Sequence, residues 1–306
     1  RYGTVTGVQT CALPISQLGG KQWGMPFDAN TIAQAYNKDM LTAANAAVPK
    51  TYAGLKDMAD KVRARYPAAY GYTQAFHNGE AGGKNWVAFS FFNWLWRMGG
   101  EILSGDYKTA AFDSQAGVDA LAMMVDMVTG KQAAPTYYHD NFFNGGNQVA
   151  TTNIGSWTYE RMFGAGKKAN FGVALLPVLK TGVPPYSGLG LYCYAVTSAS
   201  KNPQAAFDFI AYYTTSKTYQ LQYCKKNFFI PSLKEAHSDS FYSQDEWKVM
   251  IQQLEYSKYR PSVQGWDQIE SNLADAISLA IKGTRTPKAV LDSAAKYANS
   301  ILKKYS

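Results

Sequence analysis

Short strand-like segments alternate with amphipathic helical segments along this sequence, and this alternation most constrains how the chain can fold. Thr51 is typical of a helix N-cap, and the apolar residues that follow it fall on one helical face: Leu55, Met58, Ala59 and Val62. Four later segments are typical of strands, namely 71–76, 149–157, 171–176 and 191–196. Strands interspersed with helices predict an α/β fold.

The remaining helices are predicted by apolar stripes and by end signals. Three stripes consist of Val118, Leu121, Val125 and Val128; of Ala206, Phe209, Ile210 and Tyr213; and of Ile269, Leu273, Ile277 and Ile281. Gly283 is expected to end the third of these helices. Thr286 and Pro287 are expected to begin the last helix, because proline is tolerated at the first helical position. An aromatic-rich helix is predicted over 82–100.

Composition excludes several classes of protein. Hydrophobic residues make up 46% and charged residues 17%, which is typical of a globular chain. The sequence contains no run of about eighteen apolar residues, so it does not predict a membrane span. The net charge of +8 comes from scattered pairs such as Lys225-Lys226, so we interpret it as solvated helix faces and expect no nucleic-acid partner. Cys193 and Cys224 could form a bridge in an oxidising compartment, although two buried free thiols are favoured.

Residues 1–16, RYGTVTGVQTCALPIS, differ from the rest of the chain. They have neither helical nor strand periodicity, and they resemble translated adapter sequence at the end of an assembled reading frame. We interpret them as a non-native leader and leave them out of the fold prediction. Any targeting signal of the protein would then have been lost with the true N-terminus.

Motifs for catalysis, metal binding and cofactor binding do not emerge from the sequence. The three histidines, His77, His139 and His237, are far apart, and Gly188 and Gly190 lack the third glycine of a dinucleotide-binding loop. We therefore expect no metal and no cofactor. One catalytic alternative stays open, because Glu160 and Asp267 both adjoin tryptophans and a glycosidase needs two facing carboxylates.

The aromatic content favours carbohydrate as the ligand. Aromatic residues make up 14% of the chain, with 22 Tyr and 7 Trp, and many lie in stretches rich in Gly and Asn. Sugar rings stack their C–H faces on aromatic rings, while their hydroxyl groups pair with amides and hydroxyls. This pattern predicts sugar binding without predicting turnover.

Five segments, in order along the chain, resemble motifs of one family. They are 36–40 (YNKDM), 93–102 (NWLWRMGGEI), 141–145 with 155–157 (NFFNG and GSW), 196–210, and 266–287. Together they resemble the bacterial extracellular solute-binding proteins of the sugar-binding family, the group that includes maltose-binding protein. The resemblance covers residues 17–304.

That resemblance implies a periplasmic-binding-protein-like fold, in which two α/β lobes are joined by crossing strands and close over a ligand. It places the crossings near 28–32, 194–197 and 259–263. One lobe then comprises 33–195 plus 260–306, and the other comprises 17–32 plus 196–259. The second lobe would be an incomplete remnant, lacking roughly a hundred residues by analogy with the family.

The resemblance also implies a function and partners. The protein would capture a sugar or oligosaccharide, deliver it to the membrane permease of an ABC transporter, and act without catalysis. It would be a monomer in the periplasm or outside the cell, with a lipid anchor as an open alternative. Two rivals remain: a carbohydrate-active hydrolase using Glu160 and Asp267, and a binder of the same fold for a non-sugar solute.

Nine residues are candidates for ligand contact on the family's pattern. Trp157 and Trp266 fall at positions that stack on sugars, and Tyr192 stands where many members have a tryptophan. Asp28 and Asn30 lie in the first crossing. The other candidates are Glu160 and Arg161, which closely follow Trp157, and His77 and Asn78, which precede a glycine-rich loop. Each has a structural alternative: a core tryptophan, a turn, a surface ion pair or a surface loop.

Overall fold

The structure is a computed structural model that describes residues 16–18, 21–76, 83–136, 139–164 and 169–305. Its helices are α1 Lys38–Ala43, α2 Tyr52–Arg65, α3 Gly83–Arg97, α4 Gln115–Thr129, α5 His139–Phe143, α6 Tyr159–Phe163, α7 Pro203–Thr215, α8 Lys217–Asn227, α9 Asp245–Leu254, α10 Trp266–Ile281 and α11 Pro287–Tyr305. Its strands are β1 Gln17–Leu18, β2 Lys21–Gln22, β3 Met25–Pro26, β4 Asp28–Asn37, β5 Tyr70–Thr73, β6 Val149–Gly155, β7 Phe171–Ala174, β8 Ser187–Gly190, β9 Cys193–Tyr194, β10 Ile230–Pro231 and β11 Ser257–Lys258. The predicted α/β class is confirmed.

Strand β4 is the centre of the main sheet. One of its edges pairs antiparallel with β10 and then β6, and the other pairs antiparallel with β8 and then β7. Strand β5 extends the sheet parallel to β6, and β11 extends it parallel to β8. The small side chains of Ala29, Ala33 and Ala35 are fully buried, which allows other elements to pack closely on β4.

The main core lies where α3 packs against α4 and α10, with α11 packed on α10. Helix α3 is buried on nearly every side, and both Trp94 and Trp96 lie in the core. The predicted stripe of α10, Ile269, Leu273, Ile277 and Ile281, is buried as expected. Thr51 caps α2 as predicted, because its hydroxyl accepts a hydrogen bond from the Gly54 N–H at 3.1 Å.

Two predicted helix stripes are wrong in detail. In α4 the buried residues are Gly117, Ala120, Leu121, Met124 and Met127, so the helix is rotated away from the predicted valines, which are half-buried. A stripe of small and flexible side chains packs closer to neighbouring helices than β-branched valines allow.

In α7 only Ile210 and Thr214 are buried, and Phe209 from the predicted stripe is 66% exposed. An apolar stripe becomes a buried face only where another element covers it. Helix α7 packs on α8 and β3, which leave that face open.

The predicted strand over 191–196 is also wrong in extent. It is replaced by β8, which ends at Gly190, and by the two-residue β9. The interruption has a direct cause, because the N–H of Tyr192 donates to the carboxylate of Asp28 at 2.8 Å instead of to a neighbouring strand. Cys224 is buried and Cys193 is exposed, and both thiols are free, so the prediction of two buried thiols fails for Cys193.

Strands β8 and β11 lie side by side with the predicted first crossing, 28–32. The crossings themselves, 28–32, 194–197 and 259–263, stay a prediction. The start of β4 pairs with β8 through Thr31 and Leu189, and β8 pairs with β11 through Ser187 and Ser257. The hydroxyl of Thr31 lies 3.1 Å from that of Ser187 and 2.7 Å from that of Ser257. This small hydroxyl cluster joins three chain segments that are far apart in sequence.

The division into lobes stays a prediction. Helix α9 falls inside the segment 196–259 assigned to the remnant lobe, yet it packs on β4 and β7. Its Trp247 and Met250 share a hydrophobic cluster with Ala33 and Phe171, which were assigned to the other lobe. The segment that includes α9 therefore contributes to the core beneath the central sheet.

Gly71 provides a test of how closely α2 packs on the sheet. A Cβ at this position would lie 2.2 Å from the Cβ and 2.4 Å from the Cα of Ala59, so Gly71→Ala forces α2 away from β5. We expect a loss of about 1–3 kcal/mol in the free energy of unfolding, measured by urea denaturation. Gly105→Ala is the matched control, because nothing lies within 4 Å of the added methyl group. Equal unfolding midpoints for the two variants would contradict this packing.

Candidate functional site

A concave recess opens to solvent between the sheet and α3. It encloses about 460 Å³, part of which is open solvent. Strands β4 and β6, the segment after β5, helix α3 and the turn after β6 contribute the residues that line it: Ile32, Gln74, Ala75, Trp86, Phe89, Ser90, Asn93, Asn153, Gly155, Trp157 and Thr158.

Two tryptophans form the aromatic wall of the recess. The rings of Trp157 and Trp86 have centroids 5.8 Å apart and planes inclined by 53°, and Phe89 continues the wall at 5.8 Å from Trp86. Trp157 is 41% exposed, so a large part of its ring is open to a ligand. The predicted alternative of a buried core tryptophan is therefore wrong for Trp157.

Gly155 positions Trp157. A Cβ on Gly155 would lie 2.1 Å from two atoms of the Trp157 ring, so a side chain at this position is incompatible with the ring lying back over the end of β6. Ser156, Trp157 and Thr158 form a short 3₁₀ turn, and the Thr158 hydroxyl donates to the Gly155 carbonyl at 2.8 Å. The glycine of the glycine-x-tryptophan motif thus allows the Trp157 ring to lie against the backbone.

Amide side chains form the polar part of the recess. The Oε1 of Gln74 accepts a hydrogen bond from the Nδ2 of Asn153 at 3.3 Å. The Oδ1 of Asn93 accepts from the Gly188 N–H at 2.7 Å, while its Nδ2 donates to the Phe89 carbonyl at 2.7 Å. Ser90 and Thr158 add hydroxyl groups. The described residues that line the recess include no charged side chain.

Asn30 and Asp28 lie behind the recess. Asn30 is buried, and its Oδ1 accepts a hydrogen bond from the Ser156 hydroxyl at 2.5 Å, one residue before Trp157. Asp28 is also buried, and its carboxylate holds the Tyr192 N–H. Neither side chain lines the recess, so ligand contact by Asp28 or Asn30 stays a prediction.

Tyr192 and Trp266 also lie outside the recess lining. Tyr192 is 60% exposed and stands between Phe27 and Phe229, with ring centroids 6.4 and 6.1 Å away. Trp266 begins α10, is half-buried, and packs on Phe92 with centroids 5.9 Å apart.

Helix α3 nevertheless links the two tryptophans that were predicted to stack on a sugar. Trp86, Phe89 and Phe92 recur at every third residue of α3, so they form one continuous ridge on its surface. Trp157 contacts the first residue of this ridge and Trp266 contacts the last. Their stacking on a common ligand stays a prediction.

The charged candidates are on the surface. Arg161 forms an ion pair with Asp140 at 2.7 Å, and its guanidinium lies 4.2 Å from the centre of the Phe143 ring, which matches the predicted alternative of a surface ion pair. Glu160 and Asp267 are both exposed. His77 and Asn78 lie outside the described residues, so their place at the rim stays a prediction.

Four lining residues, Gln74, Trp86, Asn93 and Asn153, were not among the predicted contacts. Trp86 and Asn93 belong to the predicted aromatic-rich helix, and Gln74 directly follows a strand. The only local signal was an amide at the end of β5 or within β6, which is too common to single out. In the described part of the chain, no group of His, Cys, Asp and Glu side chains could hold a metal ion. A bilayer-spanning helix was likewise not found among those residues.

Comparison with protein families decides the relationship of this chain. The family model described as bacterial extracellular solute-binding protein matches residues 6–249. The chain belongs to this family. The match begins inside the segment 1–16, whose interpretation as a non-native leader stays a prediction. The family membership inferred from the five sequence motifs is confirmed.

Individual relatives agree with the family. A putative binding protein of Brucella abortus is 25% identical over 303 residues, covering 94% of this chain and 70% of that protein. A maltooligosaccharide ABC transporter solute-binding lipoprotein of Streptococcus pneumoniae is 25% identical over 280 residues, covering 86% of this chain and 63% of that protein. The chain thus spans about two thirds of the length of these curated relatives.

A solved structure agrees in fold. The cyclic α-maltosyl-1,6-maltose binding protein from Arthrobacter globiformis superimposes with a TM-score of 0.86 at 23% identity, over 99% of this chain and 78% of that structure. The periplasmic-binding-protein-like fold predicted from the sequence is confirmed.

The buried carboxyl of Asp28 is expected to make the free energy of unfolding depend on pH in an unusual way. Burial raises the pKa of its carboxyl from 3.8 to about 7, against the opposing hydrogen bond from Tyr192. Between these values the folded protein holds a proton that the unfolded chain releases. The contribution of Asp28 to the free energy of unfolding therefore falls by roughly 1.4 kcal/mol for each pH unit as the pH rises through this window.

The measurement compares urea unfolding of the wild type and of Asp28→Asn at pH 5, 6 and 7. An asparagine keeps the Oδ1 acceptor for the Tyr192 N–H but does not titrate. As the pH rises, the free energy of unfolding of the wild type should fall relative to that of the variant. Parallel pH profiles would mean that Asp28 is already ionised throughout this range.

Proposed function

We propose that this protein captures a neutral saccharide in the recess and delivers it to the membrane permease of an ABC transporter. One observation carries the proposal: Trp157 and Trp86 form an aromatic wall beside the amides Gln74, Asn93 and Asn153, and none of the described residues that line the recess is charged. The family membership supports it, and so does the printed description of the Streptococcus pneumoniae relative, which names a maltooligosaccharide ABC transporter.

The chemistry of the recess matches that of a sugar. A pyranose ring presents apolar C–H groups on its faces and hydroxyl groups around its edge. The exposed part of the Trp157 ring offers a platform for the faces, and the amides and hydroxyls of the floor can pair with the edge. The described lining is neutral and favours a neutral ligand, because a phosphate or a polyamine would find no charged partner among these residues after leaving water.

Capture is coupled to hinge movement in this proposal. The first crossing segment carries Asn30, which bonds directly to Ser156 in the turn that holds Trp157. The same segment is tied to β8 and β11 through the hydroxyl of Thr31. Closure of the second lobe would add contacts and exclude water from the recess, and a ligand that binds the closed form better shifts the equilibrium toward it.

The cargo is released unchanged in this proposal. Glu160 and Asp267, the two carboxylates considered for hydrolysis, are both exposed on the surface, and neither lines the recess. A glycosidase needs two carboxylates that face each other across the bound sugar. The protein would act as a monomer in the periplasm or outside the cell, held by a lipid anchor or free, without a nucleic-acid partner.

Titration calorimetry and tryptophan fluorescence test the capture of sugar. The panel is glucose, galactose, maltose, maltotriose, galactobiose, cellobiose and sucrose, with inorganic phosphate, spermidine and random DNA as the rival ligands. We expect binding to at least one saccharide and none to the rivals. Binding to phosphate, spermidine or DNA with the affinity expected of a saccharide would overturn the proposal.

Trp157→Ala should weaken saccharide binding about ten- to a hundredfold, because the stacking platform is removed. Trp23→Ala is the matched control, since Trp23 is exposed and does not line the recess. Equal affinities for both variants would place the ligand elsewhere.

Incubation with chromogenic glycosides tests the alternative that the protein is a hydrolase. Turnover that disappears in Glu160→Gln would establish hydrolysis instead.

A further inference from the structure

We infer that Gln74 determines specificity in the recess by donating a hydrogen bond from its Nε2 to an acceptor oxygen of the bound saccharide. This inference rests on the proposed function, and it goes further by assigning a donor to one defined point of the site. Gln74 lines the recess and is 2% exposed. It lies directly after β5, and four elements, α3, α4, α5 and β6, separate it from Trp157 in the chain.

The orientation of the Gln74 amide follows from its partners. Its oxygen accepts from the indole Nε1 of Trp94 at 3.0 Å, from the hydroxyl of Tyr72 at 2.5 Å, and from Asn153. An indole N–H can only donate, so the atom that faces Trp94 must be the oxygen. A flip of the amide would set two donors against each other. The oxygen is therefore fixed toward Trp94 and Tyr72, and the Nε2 takes no part in these bonds.

Trp94 is itself held firmly. Its ring is fully buried, with Tyr52 and Tyr72 packed on it at centroid distances of 6.1 and 6.4 Å. The guanidinium of Arg97 lies 5.2 Å from its ring centre. Arg97 is buried and donates to the carbonyls of Asn93 and Pro177, so this cation is fixed in place. A cation over the indole makes its N–H a stronger donor, which strengthens the bond that orients Gln74.

The Nε2 of Gln74 has no acceptor within the described part of the chain, although it is buried. A buried amide N–H without a partner is costly, so the site is prepared for a ligand that supplies the missing oxygen. Hydroxyl and ring oxygens of a sugar accept such a bond. The hydroxyl that meets Nε2 must then direct its own proton elsewhere. A ligand with a C–H at this point leaves the donor unpaired and binds more weakly.

Two variants separate the role of Gln74 in binding from its role in packing. Gln74→Met removes both amide atoms at nearly constant volume, and Gln74→Glu keeps an acceptor for Trp94 while replacing the donor with a second acceptor. Gln220→Met is the matched control, because Gln220 is also 2% exposed but lies in α8 and bonds to Thr214 and Ser232 outside the recess. Thermal unfolding of all three establishes that they fold.

Calorimetry uses the saccharide of the panel that the wild type binds most tightly. Gln74→Met should lose about tenfold in affinity, and Gln220→Met should bind within twofold of the wild type. If both methionine variants bind like the wild type, the inference is overturned while the proposed function stands. A wild type that binds no saccharide overturns both.

Modified sugars provide a readout that does not depend on the folding of a variant. Each hydroxyl of that saccharide is replaced in turn by hydrogen and by fluorine, which accepts a hydrogen bond weakly but cannot donate one. We expect one position where the deoxy sugar loses about tenfold against the wild type while the fluoro sugar loses clearly less. In Gln74→Glu, that fluoro sugar should become the weaker ligand, because fluorine then faces a carboxylate. The absence of such a position in the wild type overturns the inference.

Discussion

Hydrogen bonding along both edges of β4 is the constraint on which the rest of the structure depends. This strand bonds to four others, so its ten residues fix the positions of segments that are spread between residues 149 and 231. Its alternation also divides its residues between two tasks. Ala33 and Ala35 face the cluster beneath the sheet, whereas Asn30 and Ile32 lie at the recess or directly behind it. The same strand therefore supports the core and the site.

The recess is formed where two close approaches of backbone and side chain meet. Gly155 allows the Trp157 ring to lie over the end of β6, and Gly188 allows the ring of Phe89 to lie against β8, where an added Cβ would be 2.2 Å from it. A side chain at Gly188 would hold β8 and α3 further apart, and one at Gly155 would displace the Trp157 ring. The aromatic wall is thus a consequence of backbone geometry at two strand ends as much as of the aromatic residues themselves.

Several buried polar groups surround this region, and they oppose stability unless they are paired. Burial lowers the pKa of Arg97 to about 10, and Asp28 holds its proton into the neutral range. Both side chains form hydrogen bonds with the backbone: Arg97 donates to two carbonyls, and Asp28 accepts from the Tyr192 N–H. Such groups are paired in only one arrangement of the chain segments, so they specify that arrangement more strictly than apolar side chains would. Their burial costs some free energy of folding. Arg97 bonds to the backbone of Asn93, which lines the recess, and Asp28 lies at the start of β4.

The sequence by itself determined the α/β class, the family and the helices with strong local signals, and it singled out Trp157 as a candidate for ligand contact. Caps and stripes such as Thr51 with Leu55, or Ile269 with Leu273, depend on neighbours within one or two helical turns, so they can be read from the chain alone. The motif of Gly155 and Trp157 was found through its resemblance to the family. Local periodicity also has a clear limit, because the stripe of α7 predicted a buried Phe209 that no other element covers.

Only the tertiary structure decided the composition of the recess. Gln74, Asn93 and Asn153 come from three elements, and their roles depend on strand register and on the rotation of α3 about its axis. The tertiary structure also placed Tyr192 and Trp266 outside the lining, and it packed α9 beneath the central sheet. The sequence shows which side chains are able to pair or stack. Contacts between distant segments depend on the free energy of the whole fold, so they cannot be read from any single position.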